Sequence, residues 1–96
     1  MTYIHPKIYQ ESMKAIADLY GEGVEANNVL ITRYGQYSDD ENELLIEGHV
    51  FGDPKQLFQI IYSVDDDTAR VFMFEVTRSA LRLCLKEKQM TYMPPK

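Results

Sequence analysis

The chain has 96 residues and a formal net charge of −5, and these two values limit its fold and its partners. Its length fits a single domain, 1–96, and its 45% hydrophobic and 26% charged residues are typical of a folded domain rather than a disordered segment. The negative charge argues against direct binding to nucleic acid and to anionic membranes, because both need a basic surface.

The segment from His5 to Gly23 carries the pattern of an amphipathic helix. Pro6 suits the first turn, where the missing N–H is not needed. Apolar and small residues recur at steps of three and four and form one stripe. The stripe consists of Ile8, Ser12, Ala15, Ile16, Leu19 and Tyr20. Gly21 and Gly23 then favour termination, so the sequence predicts one N-terminal helix.

Beyond the helix the apolar pattern changes to a period of two, which predicts strands. β-branched and aromatic residues from Asn28 to Tyr37, from Leu44 to Phe51 and from Ala69 to Thr77 indicate three of them. A last strand is predicted around residues 80–88, where leucines alternate with polar residues. A C-terminal helix is the competing interpretation of that segment.

The stretch 54–63 fits either a strand or a helix. As a strand it places Phe58, Ile60, Tyr62 and the following Val64 on one face, and as a helix it has Asp53 as its cap and Pro54 in its first turn. We favour the strand, because the residues that follow have the pattern of a hairpin connection. The predicted fold is therefore α+β, with an N-terminal helix packed on an antiparallel meander of four to five strands. The alternative order is αββαββ.

Acidic residues concentrate in two connections of this meander. Alternate connections of an up-and-down meander lie at the same end, so the first and third connections should meet there. With two nearby tyrosines they form the predicted partner-binding surface. Its residues are Tyr34, Tyr37, Asp39, Asp40, Glu41, Glu43, Asp65, Asp66 and Asp67. Solvated turns are the alternative interpretation, because Asp favours turns by bonding its own backbone.

Basic residues cluster in the last predicted strand. Arg78, Arg82, Lys86 and Lys88 are separated by even numbers of positions, so a regular strand would project them from one face, away from Leu81, Leu83 and Leu85. This pattern predicts a basic edge strand. Such an edge commonly prevents aggregation between sheets.

Other reactive residues form no catalytic or metal-binding motif. His5 and His49 are far apart, and neither has a Cys or His at metal-binding spacing. Glu75 lies inside a strand pattern, and Cys84 has no histidine placed as its base. The acidic runs do not match an EF-hand loop, although calcium binding stays an open alternative. We predict no catalytic residues, no metal and no cofactor.

With Cys84 as the single cysteine, no internal disulfide can form. No apolar run approaches the roughly 20 residues of a membrane span, and the first residues lack a signal-peptide pattern, so we expect a cytoplasmic protein.

These patterns predict a small acidic, non-enzymatic module that binds a protein with a basic surface. A stoichiometric inhibitor or adaptor fits, for example a phage-type inhibitor of a host nucleic-acid-handling defence enzyme, or an immunity protein. A secretion-type chaperone or a homodimeric structural module is the second alternative. The third is a small-molecule binder with a pocket between helix and sheet, for which His49, Glu75 and Tyr62 are the polar candidates.

Overall fold

The computed structural model describes residues 6–21, 23–37, 39, 42–76 and 82–91. It consists of one N-terminal helix packed on a five-stranded antiparallel sheet, which confirms the α+β prediction. The elements are α1 (Pro6–Tyr20), a short 3-10 turn (Ala26–Asn28), β1 (Val29–Gln36), β2 (Glu43–Val50), β3 (Asp53–Ser63), β4 (Thr68–Val76) and β5 (Arg82–Thr91). None of the described helices is long and apolar enough to cross a membrane.

Helix α1 forms where its apolar stripe predicts it. Ser12, Ala15, Ile16 and Ala17 are buried against the sheet, and polar side chains fill the other side of the helix. The helix ends at Gly21, whose N–H donates to the Ala17 carbonyl at 3.2 Å. Gly21 has a φ of 144°, a conformation that glycine adopts at low cost.

The strands follow one another across the sheet in the order β1-β2-β3-β4-β5. Residues Asp53–Ser63 form the central strand, which confirms the strand interpretation, so the αββαββ order is wrong. The C-terminal segment is a strand and not a helix. Pro54 is tolerated at the start of β3 because the ladder with β4 begins only at Gln56.

The core lies between α1 and one face of the sheet, here called the helix face. From the sheet it contains Val29, Ile46, Val50, Phe58, Ile60, Tyr62, Ala69, Val71 and Met73, all at most 6% exposed. Successive side chains of a strand point to opposite faces, so the residues between these belong to the other side, here called the open face.

Register shifts interrupt three of the four strand pairings and change which side chains reach which face. They lie between Ile31 and Arg33 in β1, between Gly48 and Val50 in β2, and between Met73 and Phe74 of β4, where β5 has an extra residue. Such bulges reverse the alternation along the strand.

The bulge in β5 makes the prediction of a basic face opposite the leucines wrong. Leu83 pairs with Glu75 and Lys86 pairs with Met73, so Leu83 and Lys86 lie on the same side of the sheet. The Lys86 Nζ reaches α1 and donates to the Leu19 carbonyl at 3.3 Å. Arg78, Leu81 and the side chain of Arg82 lie outside the described structure.

Candidate functional site

The first and third connections of the meander lie together at one end of the sheet. Glu43, which follows the first connection, pairs with Ser63, which precedes the third. This end, here called the acidic end, has the described acidic residues Asp39, Glu43, Asp65, Asp66 and Asp67. Asp40 and Glu41 belong to the same predicted surface but lie outside the described residues.

Asn42 ties the two connections to each other. Its amide Nδ2 donates to Ser63 Oγ at 3.2 Å, and its Oδ1 accepts the backbone N–H of Asp65 at 2.7 Å. Its main-chain carbonyl accepts the N–H of Val64 at 2.8 Å. One side chain from the first connection therefore fixes the backbone of the acidic turn between β3 and β4.

Asp67 has a structural role within that turn. Its backbone has a φ of 52°, a left-handed conformation that Asp tolerates better than most residues. Its carboxylate accepts a hydrogen bond from the hydroxyl of Tyr62, whose ring lies in the core. Asp66 accepts from Ser63 Oγ at 3.4 Å, while the side chains of Asp39 and Asp65 are exposed.

The two tyrosines of the predicted surface differ in position. Tyr37 lies at the acidic end, where its N–H donates to the Glu43 carbonyl at 2.9 Å. Tyr34 pairs with Ile46, a core residue, so it projects on the helix face at the edge of the sheet. Exposures of 36% for Tyr34 and 37% for Tyr37 leave part of each ring available for contact.

At the opposite end of the molecule, a second polar contact joins the helix to the sheet. The hydroxyl of Tyr20 donates to Asp53 Oδ2 at 2.9 Å and so joins the end of α1 to the start of β3. This hydrogen bond, together with burial and the charge of Asp53, raises the pKa of Tyr20 above its usual value of 10.0. The Tyr20 ring also lies 6.3 Å from the ring of Phe58.

His49, Glu75 and Tyr62 do not converge on a common pocket. His49 pairs with Leu30, and its Nδ1 lies 3.0 Å from the Val50 carbonyl. Glu75 is exposed, and Tyr62 is buried and bonded to Asp67. The three residues that the small-molecule alternative would use are therefore separate from one another.

An open concavity of about 370 Å³ lies on the open face near the acidic end rather than under the helix. Its lining includes Glu43, Ile61, Ser63, Arg70 and Gln89.

The open face carries an apolar cluster on its central strands, which was not predicted from the sequence. Leu45, Leu57, Ile61, Phe72 and Phe74 alternate along their strands with residues of the core and are half-buried by their neighbours. No described helix or loop packs over them. A signal was present in the sequence, because the runs 60–62 in β3 and 71–74 in β4 are apolar at consecutive positions, as in strands that are covered on both faces.

A buried carboxylate lies in the middle of this apolar surface. Glu47 is only 6% exposed. Its Oε2 accepts the Gln59 amide at 2.6 Å, and its Oε1 lies 3.3 Å from Arg33 Nη1. A buried charge is stable only when it is paired and hydrogen-bonded, and Glu47 meets both conditions.

Among the described residues, no three His, Cys, Asp or Glu side chains are grouped so that they could hold a metal ion.

Comparisons with protein-family models, with curated proteins and with solved structures each find no match to this chain.

Proposed function

We propose that this protein is a non-enzymatic binding module, a stoichiometric inhibitor or adaptor in the cytoplasm, that presents its acidic end to a basic surface of a partner protein. The observation that carries the proposal is the contact of Asn42 with Ser63 and Asp65, which holds two acidic connections side by side. A surface that is ordered before binding loses less conformational entropy when it docks.

The charges at this end favour recognition of a basic partner. Ion pairs of the described residues include Lys14 with Glu11 and Arg33 with Glu47, and both lie away from the acidic end. Clustered carboxylates produce a local negative potential, which speeds encounter with a basic surface and disfavours acidic partners. The exposed part of Tyr37 adds a rigid aromatic contact beside them.

The test is a capture experiment with two variants that lose the same charge at different places. Asp65→Asn with Asp66→Asn removes two carboxylates from the acidic end and spares Asp67, which is bonded to Tyr62. Asp18→Asn with Glu75→Gln removes two exposed carboxylates elsewhere. Each immobilised protein is incubated with lysate of its source cell at low and at high salt, and bound proteins are identified by mass spectrometry.

The proposal predicts a partner with a basic surface that is retained by the wild type and by the Asp18/Glu75 variant. The same partner should be lost from the Asp65/Asp66 variant and released by high salt, because exposed charges are screened. Equal retention by both variants, or release that does not depend on salt, would contradict an acidic contact surface.

A further inference from the structure

The open face is large enough to form a stable interface. Five strands spaced about 4.8 Å apart, with about eight residues each at 3.3 Å, give a surface of roughly 24 by 26 Å, or about 600 Å². A specific interface needs on the order of 500–800 Å² from each partner. Phe72 and Phe74 stack in this surface with ring centroids 6.0 Å apart. Burying such rings in an interface contributes more than any other part of this face can.

The charges of the open face are balanced, although the chain as a whole has a net charge of −5. One row of register partners crosses all five strands, and it is here called the central row. It consists of Arg33, Glu47, Gln59, Phe72 and Glu87. The adjacent row toward the acidic end consists of Gly35, Leu45, Ile61, Arg70 and Gln89. Two arginines and two glutamates thus occupy these rows, so the face attracts neither a strongly basic nor a strongly acidic partner.

The position of these charges makes the face complementary to itself. The central row begins with Arg33 on β1 and ends with Glu87 on β5, at opposite edges of the sheet. From this pattern we infer that the occupant of the open face is a second copy of this chain, related by a two-fold axis parallel to β3. This axis places β1 of each copy over β5 of the other. Arg33 then faces Glu87 of the second copy twice, and Ile61 on the central strand faces its own equivalent.

The other face-to-face arrangement brings like charges together. A two-fold axis along the central row would place β1 over β1, so that Arg33 would meet Arg33 and Glu87 would meet Glu87. Like charges opposed in an interface are unfavourable and select against that arrangement. The charge pattern therefore determines the orientation of the dimer, and the apolar side chains provide most of its affinity.

The first test measures association by sedimentation equilibrium. The wild type should be a dimer, and Ile61→Lys should be a monomer because it places two positive charges face to face on the axis. Leu83→Lys makes the same change of charge at a residue that is 52% exposed and pairs with Glu75 on the helix face, so it should remain a dimer. Circular dichroism and thermal unfolding establish that each variant is folded.

The second test fixes the orientation by cross-linking in a Cys84→Ala background. Ile61→Cys should be joined to itself by a short bis-maleimide, because position 61 lies on the axis. Glu87→Cys should not be joined, because two β5 strands at opposite edges are about 19 Å apart across the sheet, in addition to the roughly 10 Å between sheets. A two-fold axis along the central row would instead allow Glu87→Cys to be joined to itself and would prevent this for Ile61→Cys.

The third test concerns the edge charges. Glu87→Arg should weaken dimerisation about tenfold, since it replaces two attractive rim pairs by two repulsive ones. Glu75→Arg is the matched control, because Glu75 is exposed and lies on the helix face, paired with Leu83.

A wild type that stays monomeric at high protein concentration overturns the inference, even if the face then binds an apolar segment of another protein. A dimer that persists in Ile61→Lys, or one that cross-links through position 87, overturns it equally. The Asp65/Asp66 variant of the acidic end should dimerise like the wild type, so failure of the proposed function and failure of this inference are separate results.

Discussion

Replacement of Asn42 by alanine should loosen the acidic end without changing the charge of the protein. The substitution removes the hydrogen bond from Nδ2 to Ser63 Oγ and the bond from the Asp65 N–H to Oδ1, and it leaves the main-chain bond to the Val64 N–H. A hydrogen bond contributes about 0.5–1.5 kcal/mol net, so two give about 1–3 kcal/mol. The lower half of that range is expected, because Asp65 is exposed and water can replace part of the lost bonding.

Two measurements check this expectation. Denaturant unfolding should show the loss of stability, and amide hydrogen exchange should locate it. The Asp65 N–H should exchange much faster in Asn42→Ala, whereas the Val64 N–H should stay protected because its acceptor is the main chain. Ser63→Ala serves as the control, since it removes the bond from Asn42 Nδ2 and the long contact with Asp66 but leaves the acceptor of the Asp65 N–H. Unchanged protection of Asp65 in Asn42→Ala would refute the view that this side chain holds the turn.

Two further substitutions test the close approach of β1 to β2 and the contact of the helix with the sheet. Gly48→Ala should destabilise the fold by about 1–3 kcal/mol in urea titrations, because a Cβ there would lie 2.6 Å from the Leu30 carbonyl. Gly35→Ala is the control and should be neutral or slightly stabilising, because a Cβ there would have nothing within 4 Å. Tyr20→Phe should lower the free energy of unfolding at about pH 8, and its difference from the wild type should shrink toward about pH 11. The direction of this pH dependence follows from the raised pKa of Tyr20. The neutral phenol donates to Asp53 and stabilises the fold below the pKa of Tyr20 in the unfolded chain, and this stabilisation is lost as pH rises through the pKa of Tyr20 in the folded protein. A difference that does not depend on pH would contradict that assignment.

The fold was predictable where local pattern and tertiary packing agree. The stripe of α1 has the helical period, and Ser12, Ala15 and Ile16 from that stripe are buried as it indicates. The segment of β3 was ambiguous because Asp53 and Pro54 also suit the start of a helix. Pairing with β2 and β4 decides in favour of a strand, and such long-range pairing cannot be read from the local sequence.

The distribution of side chains between the two faces was only partly predictable. Sequence alternation assumes an uninterrupted strand, but the extra residue in β5 moves Lys86 and Lys88 to the helix face. The sequence of β5 contains no residue type at the extra position that would indicate a bulge. Asn42 was missed for a different reason, since its importance depends on contact with Ser63 and Asp65, more than 20 positions away.

The two surfaces have different physical characters, and the fold keeps them apart. Among the described elements, α1 packs on the helix face and none covers the apolar cluster of the open face, while the acidic end lies beyond the ends of the strands. A two-fold axis parallel to β3 preserves strand direction, so the acidic ends of both copies would lie at the same end of a dimer. Their repulsion opposes dimerisation at low salt and weakens as salt rises, since exposed charges are screened beyond about 8–10 Å. Salt should therefore weaken capture of a basic partner steeply and change association through the open face little, because it screens both the repulsion between the acidic ends and the attraction of the Arg33–Glu87 pairs.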